Sequence, residues 1–198
     1  MLPVAVDAMG GDNAPKAIVE GAQRAIEERG IPVVLVGQPD VLGDTGGIPV
    51  IEASEVIAMD ADPGSSVRTM KDSSLVRAAE AVRDGAASAM VSAGNTGATM
   101  ASALLRTGRI KGVARPAIAT PIPRPVGEPT VLLDAGANAE CRPEWMVQFG
   151  QMGALFARTR FGVEEPRVGL LSIGEEACLL YTSPSPRDQR GSRMPSSA

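Results

Sequence analysis

From the N-terminus to about Glu176, short apolar runs alternate with stretches whose apolar residues recur every three or four positions. LPVAVDAM (2–9), IPVVLVG (31–37), IPVIEAS (48–54) and SAMVSAG (88–94) are runs of the first kind. Runs of this length, bounded by Gly, Pro, Asn or Asp, predict strands buried on both faces. The helical period fills the gaps. In APKAIVEGAQRAIEERG (14–30), Ala17, Ile18, Ala22, Ala25 and Ile26 share a face, and Gly30 supplies the stop. SSLVRAAEAVRDG (73–85) predicts a serine-capped helix closed at Asp84–Gly85, and TGATMASALLRTG (96–108) predicts another. AIATPIP (117–123), TVLLDAG (130–136) and RVGLLSIG (167–174) read as further strands. RPEWMVQFGQMGALFART (142–159) reads as a helix with Trp145, Phe149, Met152 and Phe156 on one stripe and Pro143 near its start. This alternation predicts an α/β fold whose mainly parallel sheet is covered on both faces.

Two stretches break the pattern. DADPGSSVRTMKDSS (60–74) is polar and aperiodic, so it reads either as a flap carrying Arg68 and Lys71 over a cleft or as a plain surface loop. Residues 177–198, ACLLYTSPSPRDQRGSRMPSSA, are rich in Ser and Pro. Three Arg and one Asp give them a charge of +2, against −6 for the rest. They read as a disordered or non-native tail, and the fold is expected over 1–176 alone.

Composition narrows the chemistry. Of 198 residues 44% are hydrophobic but only 3% aromatic, so the core must come from Ala, Val, Leu, Ile and Met. A net charge of −4 gives no reason to expect nucleic acid as a partner. No apolar run approaches the roughly 20 residues of a membrane span. The N-terminus lacks the basic flank of a signal peptide. Two cysteines, Cys141 and Cys178, form no disulfide framework, so a reducing cytoplasm is expected. There is no histidine. Ser–His and Cys–His catalysis are therefore excluded, and no metal site is expected.

Three predicted strands end alike. Val4–Val6 runs into DAMGGDNAP, Met90–Val91 into SAGNTGA, and Val131–Leu133 into DAGANAE. Each places small residues, glycine and an asparagine (Asn13, Asn95, Asn138) where a strand hands over to a helix. Ligands of open parallel sheets bind at that edge, where helix N-termini offer free N–H groups to anions. Each stretch alone reads equally as a tight turn. Three together point to a cleft for a small oxyanion. Neither the P-loop nor the dinucleotide fingerprint is present. RTGRIKGVARP then sets Arg106, Arg109, Lys111 and Arg115 within ten residues, with Arg124 beyond. Arginine's planar fork suits phosphate, whereas Arg106 is accounted for as a helix-end cation. Asp7, Asp12 and Asp134 are candidates for general bases or a metal pair. The plainer reading, favoured for Asp134, is a loop brace. Cys141 reads as a buried, inert thiol.

Five segments in order, VDAMGGDNAP, SAGNTGA, GRIKGVARPAIA, LLDAGAN and GLLSIGEE, resemble the signatures of the PlsX family, bacterial acyl carrier protein:phosphate acyltransferases of phospholipid synthesis. The resemblance covers residues 1 to about 176. It implies a three-layer α/β/α fold similar to the isocitrate and isopropylmalate dehydrogenases. It also implies a cytoplasmic homodimer able to associate peripherally with a membrane, and partners in acyl carrier protein and inorganic phosphate, with no cofactor. The phosphate itself is then the nucleophile. On that reading Ser92, Gly94, Asn95, Thr96 and Gly97 cradle the phosphate or the oxyanion, with Ser92, Asn95 and Thr96 as the catalytic candidates. Gly10, Gly11, Asp12 and Asn13 form a second wall, Arg109 and Arg115 neutralise charge or meet the carrier protein, and Asn138 completes the edge. Family members continue past GEE, so the chain reads as a truncated, N-terminal portion. An NAD-dependent dehydrogenase of related fold and a non-enzymatic anion-binding module remain the alternatives.

Overall fold

The computed structural model describes residues 1–138 and 140–171. The expected tail, Cys178, the pair Glu175–Glu176 and residues 172–174 of the last expected strand lie outside them. The chain divides into two compact units, Met1–Lys111 and Gly112–Ala198.

The first unit is built on a four-stranded parallel sheet of order β3-β2-β1-β4, from β1 (Val4–Asp7), β2 (Val33–Gly37), β3 (Val50–Glu52) and β4 (Ala89–Ser92). Helices α1 (Lys16–Arg29), α2 (Pro39–Leu42), α3 (Pro63–Thr69), α4 (Ser74–Arg83) and α5 (Thr96–Arg106) complete it. Every residue of β2 is buried, and its alternating side chains serve two cores. Val33 and Leu35 pack with Val19 and Ala22 of α1, whereas Val34 and Val36 pack with Ala78 and Ala81 of α4. Those two helical faces enclose the sheet and make the three layers. Complete burial of Leu35, Val36, Val67 and Val76 contributes roughly 1.5–3 kcal/mol for each side chain. Small residues on α4 let it lie close to the strands. A third cluster, Ile57, Val67, Leu75, Val76 and Ala98, joins α3, α4 and α5.

The helix ends follow local chemistry. Gly30 closes α1 in the left-handed conformation (φ 62°), its N–H donating to the Ile26 carbonyl while the Ile31 N–H donates to that of Ala25. Ser73 occupies the expected cap position of α4 but does not cap it. Its hydroxyl donates back to the Met70 carbonyl at 2.9 Å instead. Within the stretch 60–74, expected as a flap or a surface loop, Pro63–Thr69 form a short packed helix. Asp62 accepts Ser65 N–H at 2.8 Å, Pro63 occupies the first turn, and Val67 is fully buried. Arg68 and Lys71 are exposed.

Asp72 ties the chain after β3 to the start of α4. Its carboxylate accepts the Ser54 N–H at 3.0 Å and hydroxyl at 2.6 Å, and its own N–H donates to Glu55. The Ser54 hydroxyl, then the Ser54 N–H and nearby Arg77, hold Asp72 below the ordinary carboxylate value of 3.8. A depressed folded pKa stabilises the folded state above the unfolded value, and that help fades as pH falls through the folded one. Carbon-detected NMR is expected to place the Asp72 midpoint below 3.8 and to move it upward in Ser54→Ala. A midpoint at or above the ordinary value would remove this tether.

The second unit contains β5 (Ala119–Ile122), β6 (Thr130–Leu133) and the long helix α6 (Pro143–Phe161). The two strands form an antiparallel pair of their own, which corrects the expectation that they extend the parallel sheet. Only residues 123–129 join them. A parallel crossover needs about a dozen residues, so a hairpin is what this connection permits. Phe149 of the expected stripe is buried, with Trp145, Met152 and Phe156 half-buried around it. Residues 167–171 form no strand, because among the described residues they find no hydrogen-bonded neighbour. Val168 instead lies against Gly150 of α6. No helix among the described residues is long and apolar enough to cross a membrane.

Candidate functional site

The centre of the site is where β1 and β4 end side by side. Parallel register puts Asp7 opposite Ser92, so both side chains leave the sheet on the same face. Asp7 is 2% exposed. One of its carboxylate oxygens accepts the Met9 N–H at 3.2 Å and the other accepts the Ser92 hydroxyl at 2.7 Å. The Ser92 oxygen in turn accepts the Gly94 N–H at 3.0 Å. A hydroxyl has one proton, and that of Ser92 is committed to Asp7. Ser92 therefore braces the loop and donates nothing further.

Above this bracket two glycines meet. A Cβ on Gly10 would lie 2.5 Å from the Asp7 carboxylate and 2.9 Å from the Gly94 nitrogen. On Gly94 it would lie 3.2 Å from the Gly10 Cα. Gly11 sits at φ 110°, a conformation open to glycine, with Ala93 against it. The loops after β1 and β4 thus touch through backbone, as the sequence suggests. Asp12 and Asn13 continue the first loop as exposed residues.

Asn95 is the N-cap of α5 and 7% exposed. Its side-chain oxygen accepts the Ala98 N–H at 2.9 Å, while its amide donates to the carbonyls of Met59 (2.9 Å) and Ala61 (3.0 Å), with Ala58 at 3.4 Å. Both ends of the amide are thus occupied in holding α5 to the 58–61 segment. With Ala98 capped, helix geometry leaves the N–H groups of Thr96 and Gly97 without intrahelical acceptors. Thr96 is exposed. Gly97 is pressed by Pro63, whose Cγ would stand 2.6 Å from a Cβ there. The positive end of the α5 dipole adds to this anion-receiving character.

The basic residues sort by environment. Arg106 lies at 3.3 Å from Glu80 of α4, both side chains about one-fifth exposed, and Arg77 and Arg83 reach the same carboxylate. It fastens α5 to α4. Arg109 is exposed beyond the end of α5.

In the second unit, Asp134 gathers N–H groups from Ile118 (2.9 Å), Ala137 (3.3 Å) and Asn138 (2.8 Å). It is the loop brace expected of it. The Asn138 amide donates to Pro116 O and to Asp134, both at 2.9 Å, so its donors are used inside that loop. Arg115 lies 4.8 Å from the Trp145 ring centroid, and Arg142 stands 5.3 Å from the same ring. The sequence reading anticipated the cation and not its aromatic support, because 30 residues separate the two. Cys141 is exposed. Among the described residues no group of three His, Cys, Asp or Glu is placed to hold a metal ion.

What sequence reasoning passed over is the inward role of Asp7 and Asn95. The signal available for Asp7 was its position: a carboxylate closing an otherwise apolar strand, three residues before a pair of glycines.

The "Fatty acid synthesis protein" family matches residues 2–179. The chain is 52% identical over 178 residues to a phosphate acyltransferase of Desulforudis audaxviator, an alignment covering 88% of this chain and 53% of that protein. It is 52% identical over 181 residues to the phosphate acyltransferase of Leptospira biflexa, covering 87% and 53%. With the phosphate acyltransferase of Desulfitobacterium hafniense (strain Y51) it shares 50% over 183 residues, covering 89% and 54%. The chain spans about half the length of the curated relatives it matches. With the family matching nearly nine-tenths of its residues and the paired glycine loops in place, the chain belongs to the fatty acid synthesis protein family.

Proposed function

We propose that this chain carries the anion-receiving portion of a phosphate acyltransferase, which moves a fatty acyl group from acyl carrier protein to inorganic phosphate. The observation that carries the reading is the glycine-lined junction of the β1 and β4 loops, where α5 begins with uncapped N–H groups. Half-identity to proteins named phosphate acyltransferase supports the same substrate. A phosphate oxygen attacks the thioester carbonyl carbon. The carbonyl electrons pass to oxygen and return as the C–S bond breaks, giving acyl phosphate and the carrier thiolate, which takes a proton from solvent. The attacking group arrives already ionised, so the step does not call for a histidine base.

The protein's contribution is then placement and charge stabilisation. Gly94, Thr96 and Gly97, with Gly10 and Gly11, let the backbone approach the anion closely. Asp12 and Asn13 border it, and Asn95 and Ser92 hold the loop in shape. Arg109, exposed beyond the end of α5, is assigned to meet the anion or the acidic carrier protein. Homodimerisation and peripheral membrane contact belong to the same proposal.

The test is release of carrier thiol from acyl carrier protein loaded with a fatty acyl group. Release is expected only when phosphate is present, with acyl phosphate formed in equal amount. Equal release without phosphate would point to a thioesterase. Phosphate binding with no turnover would favour an anion-binding module.

A further inference from the structure

The acyl-transfer step proposed above uses no group of Asp7, yet among the described residues it is the most deeply buried carboxylate. Burying a carboxylate costs free energy unless donors surround it. Its charge also opposes an anion through space. Its gain must come through order.

The order is visible in the hydrogen bonds. A carboxylate only accepts. Facing one at 2.7 Å, the Ser92 hydroxyl must point its proton at Asp7 and turn its lone pairs outward, where the Gly94 N–H donates at 3.0 Å. The second carboxylate oxygen is held by the Met9 N–H, so the carboxylate cannot swing away. The space beside the oxygen that receives Ser92 is too tight for a Cβ on Gly10. The direction of one peptide group, Ala93–Gly94, is thereby fixed two residues before α5 begins.

We propose that Asp7 is a positioning residue for anion capture: through the Ser92 hydroxyl it holds the Gly94–Gly97 turn in its anion-receiving shape before the anion arrives. This rests on the phosphate reading given above. Without it the turn must be ordered by the anion itself, at a cost in affinity. The effect falls on binding and not on bond making.

Asp7→Asn is the informative variant, because the amide keeps the shape but offers one acceptor oxygen for two donors. In the whole chain, the dissociation constant for inorganic phosphate, read by calorimetry or phosphorus NMR, is expected to rise about tenfold, the worth of one charge-assisted hydrogen bond. Hydrogen exchange of the Gly94 amide is expected to quicken by a similar factor. In the acyl-transfer assay the KM for phosphate rises while kcat at saturation stays within about twofold. Ser92→Ala is expected to match Asp7→Asn, the double variant to be no worse than Ser92→Ala, and Ser92→Thr, which keeps the hydroxyl, to restore binding.

Wild-type phosphate affinity in Asp7→Asn, or losses that add in the double variant, would overturn the positioning role while leaving the phosphate reading intact. Failure of the unaltered chain to bind phosphate would remove both. If Asp7→Asn does not fold, Ser92→Ala alone decides. Unchanged Gly94 exchange and unchanged phosphate affinity in that variant would end the proposal.

Discussion

Gly10→Ala is expected to lose phosphate capture by about a hundredfold or more and to destabilise the first unit by about 1–3 kcal/mol, the range for overpacking a closed site. The added methyl would stand 2.5 Å from the Asp7 carboxylate and 2.9 Å from the Gly94 nitrogen. Neither neighbour is the yielding tip of a long side chain. One is a short carboxylate held by two donors and the other is main chain, so relief requires parting the two loops. Gly94→Ala is expected to be milder, since its closest contacts, the Gly10 Cα and the Ser92 hydroxyl, begin at 3.2 Å. Gly21→Ala, in the interior of α1 with nothing within 4 Å, provides the contrast and is expected to stabilise by roughly 0.5–1 kcal/mol. Phosphate titration and thermal unfolding of the three variants measure the series. A Gly10→Ala protein that binds phosphate as the parent does would mean the loops part without consequence, and the glycine contact would lose its claim on the site.

Asn95→Ala is expected to cost about 2–4 kcal/mol, from a lost cap of about 1 kcal/mol together with carbonyls left without their donor. The amide serves two elements at once, the first turn of α5 and the carbonyls of Met59 and Ala61. Asn95→Asp separates these roles. Aspartate caps as well as asparagine, but it turns an oxygen toward those carbonyls where the amide had donated. It is therefore expected to be no better than alanine at neutral pH. Asn95→Ser, which restores the cap alone, is expected to recover about 1 kcal/mol. Hydrogen exchange at Ala98 and through 58–61 reads both elements separately. Loss confined to α5 in Asn95→Ala would show that the second set of contacts carries no weight.

The parallel sheet was legible because its strands are apolar on both faces. Val33 to Val36 could only be a strand covered twice, once by α1 and once by α4. Helix stops were legible for a similar reason: Gly30 performs a local task that needs no distant partner. What escaped depends on length or on distance. Helix α3 has seven residues, two of them serine and one glycine, too short for a period to show. Strands β5 and β6 resemble sheet members in composition, and only the brevity of residues 123–129 reveals that they pair with each other. At the site, the types of residue were readable and their directions were not. Asn95 and Ser92 have the side chains expected of anion ligands, yet both point into the protein. Arg115 was noticed as a cation, while Trp145, on which it rests, comes from the first turn of another element.

The pairing of Asp7 with Ser92 has a consequence for assembly as well as for binding. Side chains alternate along a strand, so sliding β4 by one residue against β1 would carry Ser92 to the opposite face and set Val91 across from Asp7. The aspartate would then be sealed against an isopropyl group. The apolar residues of β4 give little protection against such a slip, because Ala89, Met90 and Val91 are similar enough to trade places. A single polar pair at the end of the strand makes the shifted alignment costly, so the hydrogen bond that shapes the loop also proofreads the register of the sheet from which the loop emerges.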